Sequence, residues 1–189
     1  EKNSDNIENS TILKNLGLKS NQYFLATFHR EENVDSNIRL QNIVLALEQL
    51  QEKYNYPIIC SVHPRTKKRM ESMKIKSNNK SVKFLEPLSF FDFISLEKYS
   101  FCVLTDSGTV QEECCILNKP NVTIRDVTER PETIECGSNI IAGLETSDIL
   151  KCVNLAVNSI DNWVSPYEYK MKNVSDLVIK ILLSFNRYT

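Results

Sequence analysis

The chain has 189 residues, with 23 lysines and arginines against 24 aspartates and glutamates and a net charge of −1. That length suffices to bury one core, and the even mix of signs gives no bulk basic field for nucleic acid. No apolar run reaches membrane-spanning length, and no signal-peptide pattern opens the chain.

Six cysteines occur, Cys60, Cys102, Cys114, Cys115, Cys136 and Cys152, with no C-x-x-C pair among them. Several fall in apolar runs. They read as buried free thiols of a cytoplasmic protein rather than as disulfides or zinc ligands.

In chain order, residues 1–9 are polar and read as frayed. Ser10 is placed to cap a short helix over 11–16, which Gly17 closes. The run 23–28 reads as a strand and leads straight into His29-Arg30-Glu31-Glu32-Asn33. Asp35 or Ser36 then caps a long amphipathic helix with Ile38, Ile43, Leu47 and Leu50 on one face. The next strand, 57–62, runs directly into His63-Pro64-Arg65 and a basic helix to about Lys74. The Lys67-Lys68-Arg69 cluster is the wet face of that helix. Residues 82–85 form a strand. Glu86-Pro87-Leu88-Ser89 leads into a helix carrying Phe90, Phe91 and Phe93, which read as core residues.

The stretch from Phe101 to Glu132 carries the most information. Phe101-Cys102-Val103-Leu104 reads as a buried strand. It turns at Asp106-Ser107-Gly108-Thr109 and continues as a helix over 110–117. A small-residue turn between strand and helix leaves backbone N–H groups free at the helix start, and these favour an anion such as phosphate. Gly108 allows close approach. Glu112 and Glu113 are placed in the first turn, where carboxylates suit the helix dipole. Lys119-Pro120 ends that helix, and 121–124 is a further strand. A charged loop, Arg125 to Arg130, leads to Pro131 at the start of a helix that Gly137 stops. A last strand, 138–142, precedes helices over 147–160 and 173–185.

Six strand candidates alternating with helices predict a parallel sheet covered on both faces, an α/β Rossmann-like doubly wound layer, as a single domain over 1–189. His29, His63, Glu86, Ser107 and Arg130 all directly follow strands. They therefore share one rim, where open parallel sheets bind ligands. An isolated loop histidine is more often structural; beside a phosphate-type turn and Arg130, His29 reads instead as a binding residue. His63-Pro64 is also plain turn chemistry. The fingerprints G-x-G-x-x-G, G-x-x-x-x-G-K and G-x-S-x-G are absent, and no metal site or cofactor is expected. The residues alone thus predict a layer that binds an anionic, nucleotide-bearing ligand.

Four blocks carry a family resemblance: 27–34 (Thr27-Phe28-His29-Arg30-Glu31-Glu32-Asn33-Val34), Val62-His63-Pro64, 105–113 (Thr105 to Glu113) and 125–132 (Arg125 to Glu132). In these the chain resembles the non-hydrolysing UDP-N-acetylglucosamine 2-epimerases, over the C-terminal half of their usual length. The resemblance implies half of a two-domain, glycosyltransferase-B-like architecture, with substrate held between the halves. It implies that Ser107, Gly108 and Thr109 hold the diphosphate and that Glu113 accepts from the ribose hydroxyls. Leu88 and Phe93 would border the uracil. Arg130 would reach sugar or phosphate, and His29 would touch the diphosphate and assist UDP departure. Arg30 and His63 would belong to a regulatory UDP-sugar site. Thr109 stands where the family usually has a second glycine, and Leu88 where it often has glutamine. Both departures imply a modified UDP-N-acetylhexosamine or a diacetamido-uronic acid.

The implied reaction is elimination of UDP followed by re-addition with C2 inverted. Its acid and base carboxylates are expected in the other half, so this chain alone is expected to bind UDP without epimerising. Implied partners are the N-terminal domain, against which the last helix packs, and a second copy in a homodimer. The rival readings are a non-catalytic UDP-sugar-binding module and half of a glycosyltransferase.

Overall fold

Along the central strands, successive side chains enter opposite hydrophobic layers. Phe24, Ala26, Ile58, Cys60, Cys102 and Leu104 face one cluster, whereas Tyr23, Leu25, Ile59 and Val103 face the other. A strand apolar on both faces is stable only when helices cover both sides, which is the condition for a parallel sheet. The computed structural model describes residues 3–159 and 162–185.

The strands are β1 (Phe24–Thr27), β2 (Ile58–Ser61), β3 (Val82–Leu85), β4 (Cys102–Thr105), β5 (Asn121–Thr123) and β6 (Asn139–Ile141). All pairings are parallel, in the order β3-β2-β1-β4-β5-β6. All six expected strands are present. Chain direction across the sheet reverses between β1 and β4, and the crevice beyond their carboxyl ends is where such sheets take ligands.

The helices are α1 (Ser4–Glu8), α2 (Ile12–Leu16), α3 (Glu31–Val34), α4 (Asn37–Tyr54), α5 (Pro64–Ser72), α6 (Phe90–Tyr99), α7 (Gly108–Ile116), α8 (Pro131–Glu135), α9 (Thr146–Asn158) and α10 (Val174–Phe185). On one face α4, α5 and α9 supply Leu40, Leu47, Leu50, Met70, Ile149 and Val153. On the other, α6 and α7 supply Leu96, Val110 and Cys114, with Ile12, Leu13 and Leu16 of α2 packed alongside. The amino ends of the strands are closed by rings, Phe24 lying edge-on to Tyr54 and Phe101 at 5.3 and 5.4 Å. Among the described residues no helix is long and apolar enough to cross a membrane.

Local signals behave as expected at several ends. Gly17 takes φ +68° and closes α2. Ser36 and Ser89 accept hydrogen bonds from Arg39 N and Asp92 N, capping α4 and α6. Other expectations fail for tertiary reasons. Residues 4–8 are helical rather than frayed, because Glu8 accepts hydrogen bonds from Lys98 and Tyr99 on α6. Ile38 is 71% exposed, off the buried stripe that Leu40, Ile43, Val44, Leu47 and Leu50 form. Phe90 is 60% exposed rather than core, its ring edge-on to Phe91 at 5.6 Å. The helix expected over 147–160 spans Thr146–Asn158, and its expected end at Ile160 lies outside the described residues. All six cysteines are free; Cys60, Cys102, Cys114 and Cys115 are buried.

The burial difference along α4 sets a test. Leu47→Ala opens a cavity against the sheet and should cost about 2–5 kcal/mol. Ile38→Ala should stay within about 0.5 kcal/mol of the parent. Chemical-denaturation midpoints of the two variants measure both.

Candidate functional site

Asp106 follows the last residue of β4 and is fully buried. A buried carboxyl group needs donors, and the β1–α3 loop provides them. His29 N donates to it at 3.0 and 3.1 Å, Arg30 N at 2.9 Å and Asn33 Nδ2 at 3.0 Å. The His29 ring turns the same way, with Nδ1 3.3 Å from Asp106 Oδ1. That leaves Nε2 as the ring nitrogen available to a ligand, on a side chain 45% exposed. His29 therefore stands beside the Ser107 turn, since its partner is the residue just before Ser107. Asn33 also donates to Ile124 O at 3.0 Å, tying in the end of β5.

The turn itself is set for an anion. Ser107 is the N-cap of α7, but its hydroxyl makes no capping bond; its own N–H goes to Thr105 Oγ1 at 3.0 Å. The first N–H groups of a helix have no intrahelical acceptor, so those of Gly108, Thr109 and Val110 point outward with the positive end of the helix dipole. Gly108 is buried, Thr109 exposed. A Cβ at position 108 would sit 3.5 Å from Arg130 Cζ and 3.6 Å from one terminal guanidinium nitrogen. The Arg130 guanidinium thus overhangs the turn.

A polar network holds Arg130 there. Thr128 Oγ1 donates to Gln111 Oε1 at 2.6 Å and accepts from Arg130 N at 3.0 Å. The Arg130 guanidinium donates to Glu112 and, at 3.0 Å, to Glu129 O. Glu112 is the main reason that the Arg130 pKa is raised further. Arg125, 7% exposed, bridges Glu32 at 3.1 Å and Glu129 at 2.7 Å, and Arg30 lies 3.8 Å from Glu129. Three strand-end loops are so braced to one another.

α7 begins at Gly108, two residues earlier than the turn composition suggests. Glu112 and Glu113 therefore lie in its second turn, and no acidic residue lies in the first. Glu112 serves Arg130 rather than the dipole. Glu113, half-buried, meets Glu97, which is wholly buried on α6. Burial first, and the Glu113 charge next, push the Glu97 carboxyl up to about 10. Burial also raises Glu113, to about 7.

Other expected residues take no part in this hydrogen-bond network. His63 is exposed and caps α5, its Nδ1 accepting from Arg65 N at 3.2 Å. Arg65 turns instead to Glu31 at 2.5 Å and Asp35 at 2.8 Å. Leu88 and Phe93 are half-buried against the α6–α7 side of the sheet. Sequence reasoning missed Asn33, Arg125 and Glu97. Asn33 and Arg125 stand inside the blocks at 27–34 and 125–132, but only their tertiary partners give them a role; Glu97 has no local signal at all. Among the described residues no group of three metal-ligating side chains is assembled.

Residues 1–183 match the model of the family described as UDP-N-acetylglucosamine 2-epimerase. The chain belongs to that family. The UDP-N-acetylglucosamine 2-epimerase of Methanocaldococcus jannaschii is 46% identical over 164 residues, which are 85% of this chain and 44% of that protein. The crystal structure of the M. jannaschii UDP-GlcNAc 2-epimerase in complex with UDP-GlcNAc and UDP matches with a TM-score of 0.84 and 39% identity, covering 97% of this chain and 51% of that one. The UDP-2,3-diacetamido-2,3-dideoxy-D-glucuronate 2-epimerase of Pseudomonas aeruginosa is 41% identical over 129 residues, 68% of this chain and 35% of that protein. The chain thus spans about half the length, or less, of these relatives. In this epimerase-family chain the braced rim coincides with the blocks singled out in the sequence, at 27–34, 105–113 and 125–132.

Two outcomes are expected. Asp106→Ala orphans the donors of His29, Arg30 and Asn33 and should cost about 2–4 kcal/mol, with faster amide exchange at His29 and Arg30. The second concerns Glu97, whose folded value of about 10 lies above the ordinary 4.5. The folded state keeps a proton that the unfolded chain releases. That stability is full below about pH 4.5 and drains as pH rises toward 10, at up to about 1.4 kcal/mol per pH unit. Glu97→Gln should flatten this decline in a series of thermal melts.

Proposed function

We propose that this chain is the UDP-binding half of a 2-epimerase acting on UDP-N-acetylglucosamine or a modified UDP-N-acetylhexosamine. The observation that carries the reading is the convergence of His29, the free N–H groups of Gly108 and Thr109 and Arg130 beyond β1 and β4. A diphosphate fits that constellation in charge and in donor supply. The Ser107 hydroxyl, unused as a cap, is free to donate as well. Glu113 takes the ribose hydroxyls, with Leu88 and Phe93 at the uracil. Arg30, on the same loop as His29, and His63, the cap of α5, are assigned to a regulatory UDP-sugar site.

The chemistry explains why a leaving-group site matters. The hydrogen at C2 of the sugar is not acidic, so its removal must accompany loss of UDP. Charge then builds on the departing diphosphate. Donors aimed at that charge lower the barrier, each by about 3 kcal/mol. His29 Nε2, the turn N–H groups and Arg130 are those donors. Re-addition of UDP at C1, with a proton delivered to the opposite face of C2, turns the 2-acetamido-glucal into the inverted product. The carboxylates that move the C2 proton belong to the N-terminal half, so the present half binds UDP without turning substrate over.

That half also has a place to dock. On α10, Ile179, Leu182 and Leu183 are 53, 62 and 64% exposed. An apolar helix face of that kind is covered in a stable assembly, and we assign it to the N-terminal half. A homodimer in a reducing cytoplasm is the proposed setting, in keeping with six free thiols. The P. aeruginosa relative supports a modified sugar as substrate, as do Thr109 and Leu88.

Arg130→Ala in the full-length protein should lower turnover about 100-fold; unchanged turnover removes Arg130 from this role. Substrate incubated with the full-length protein in heavy water should gain deuterium at C2 and yield the C2 epimer. A glycosyltransferase would instead require an acceptor, and a binding module would give no product.

A further inference from the structure

Holding a diphosphate does not explain the Glu97–Glu113 pair. Glu97 is 0% exposed. Neither of its carboxyl oxygens receives a hydrogen bond from any N–H or O–H group among the described residues. As a carboxylate it would be a buried charge without a donor, which proteins do not sustain. As a carboxylic acid it becomes a donor, and the acceptor it faces is the Glu113 carboxyl. Two carboxyl groups in contact share one proton.

The other ionisable groups bearing on the pair come from α7. Glu112 is committed to Arg130. The Cys114 thiol, buried, is pushed well up by burial and by Glu97, and stays neutral. Among the described residues no cation pairs with either carboxyl group. The proton is therefore the counter-charge.

We propose that Glu97 is a positioning residue: its proton binds one oxygen of Glu113 and so holds the other toward the ribose hydroxyls of the UDP-sugar. This rests on the reading of Glu113 as the ribose acceptor. A carboxylate oxygen with free lone pairs accepts from a diol. A glutamate already fixed at its other oxygen loses little rotamer freedom on binding. The arrangement needs one proton in the pair. Below about pH 7 Glu113 takes up a second, both groups become neutral, and the acceptor weakens.

The test compares UDP with 2′-deoxy-UDP on the full-length protein by calorimetry across about pH 5.5 to 9. Both ligands carry the same diphosphate, so its ionisation cancels in the ratio of dissociation constants. At about pH 8 the parent should favour UDP about tenfold, and the ratio should fall toward one below about pH 7. Glu97→Leu should bring the ratio within about twofold of one, with 2′-deoxy-UDP, which keeps only the 3′-hydroxyl, weakened less than UDP. Glu97→Gln, whose amide N–H still donates to Glu113, should restore the preference. A parent that binds both ligands equally at every pH overturns the ribose reading itself. A parent that discriminates equally at all pH values, or a Glu97→Leu protein that keeps the full ratio, overturns the role of Glu97 alone. The parent pH series needs no variant, so it decides the matter even if Glu97→Leu does not fold.

Discussion

A single buried carboxyl group organises the ligand rim. Asp106 lies at the carboxyl end of β4 with no exposure to water. It gathers the N–H groups of His29 and Arg30 and the amide of Asn33 from the end of β1. Leaving such a group unpaired would be costly, so the two loops cannot separate while the sheet is intact. β1 and β4 are neighbours at the point where the strand order reverses. The constraint thus lies at the crevice itself. Asp106 does not face the ligand; it sets where His29 and Ser107 stand.

The remaining charges extend the same principle outward. Arg125 joins the β1 loop to the β5 loop through Glu32 and Glu129. Arg130 is tethered to α7 by Glu112 and by the Thr128–Gln111 bond. Exposed ion pairs add little stability. Here their value is geometric, since they hold a guanidinium over Gly108 before any anion arrives. A preorganised donor does not have to be ordered at the moment of binding or reaction. Among the described residues the uncommitted groups of the rim include the N–H groups of Gly108 and Thr109, the Ser107 hydroxyl and the outer nitrogen of His29. They are donors that suit a diphosphate.

Much of this was legible in the residues. Near-continuous apolar runs at 23–28, 57–62 and 101–104 give parallel strands buried on both faces, and Gly17, Ser36 and Ser89 mark helix ends through local capping chemistry. The rim followed from position alone, because a residue directly after a parallel strand must lie at its carboxyl end. The misreadings share one cause. Ile38, Phe90 and residues 4–8 were judged on composition, but exposure and order at those places depend on partners distant in sequence. Glu8 is held by Lys98 and Tyr99 on α6, and α7 starts early enough to shift Glu112 and Glu113 out of its first turn.

The amino-acid order by itself determined the sheet, its double covering, the edge at which a ligand binds and, through four ordered blocks, the family. Those features depend on periodicity and on neighbours a few residues apart. Tertiary structure alone decided that Asp106 clamps the β1 loop, that Arg130 is spoken for by Glu112, and that Glu97 must keep a proton beside Glu113. The first and the last of these turn on the desolvation of one group by many others. Desolvation is a property of the packed interior and leaves no trace in local sequence.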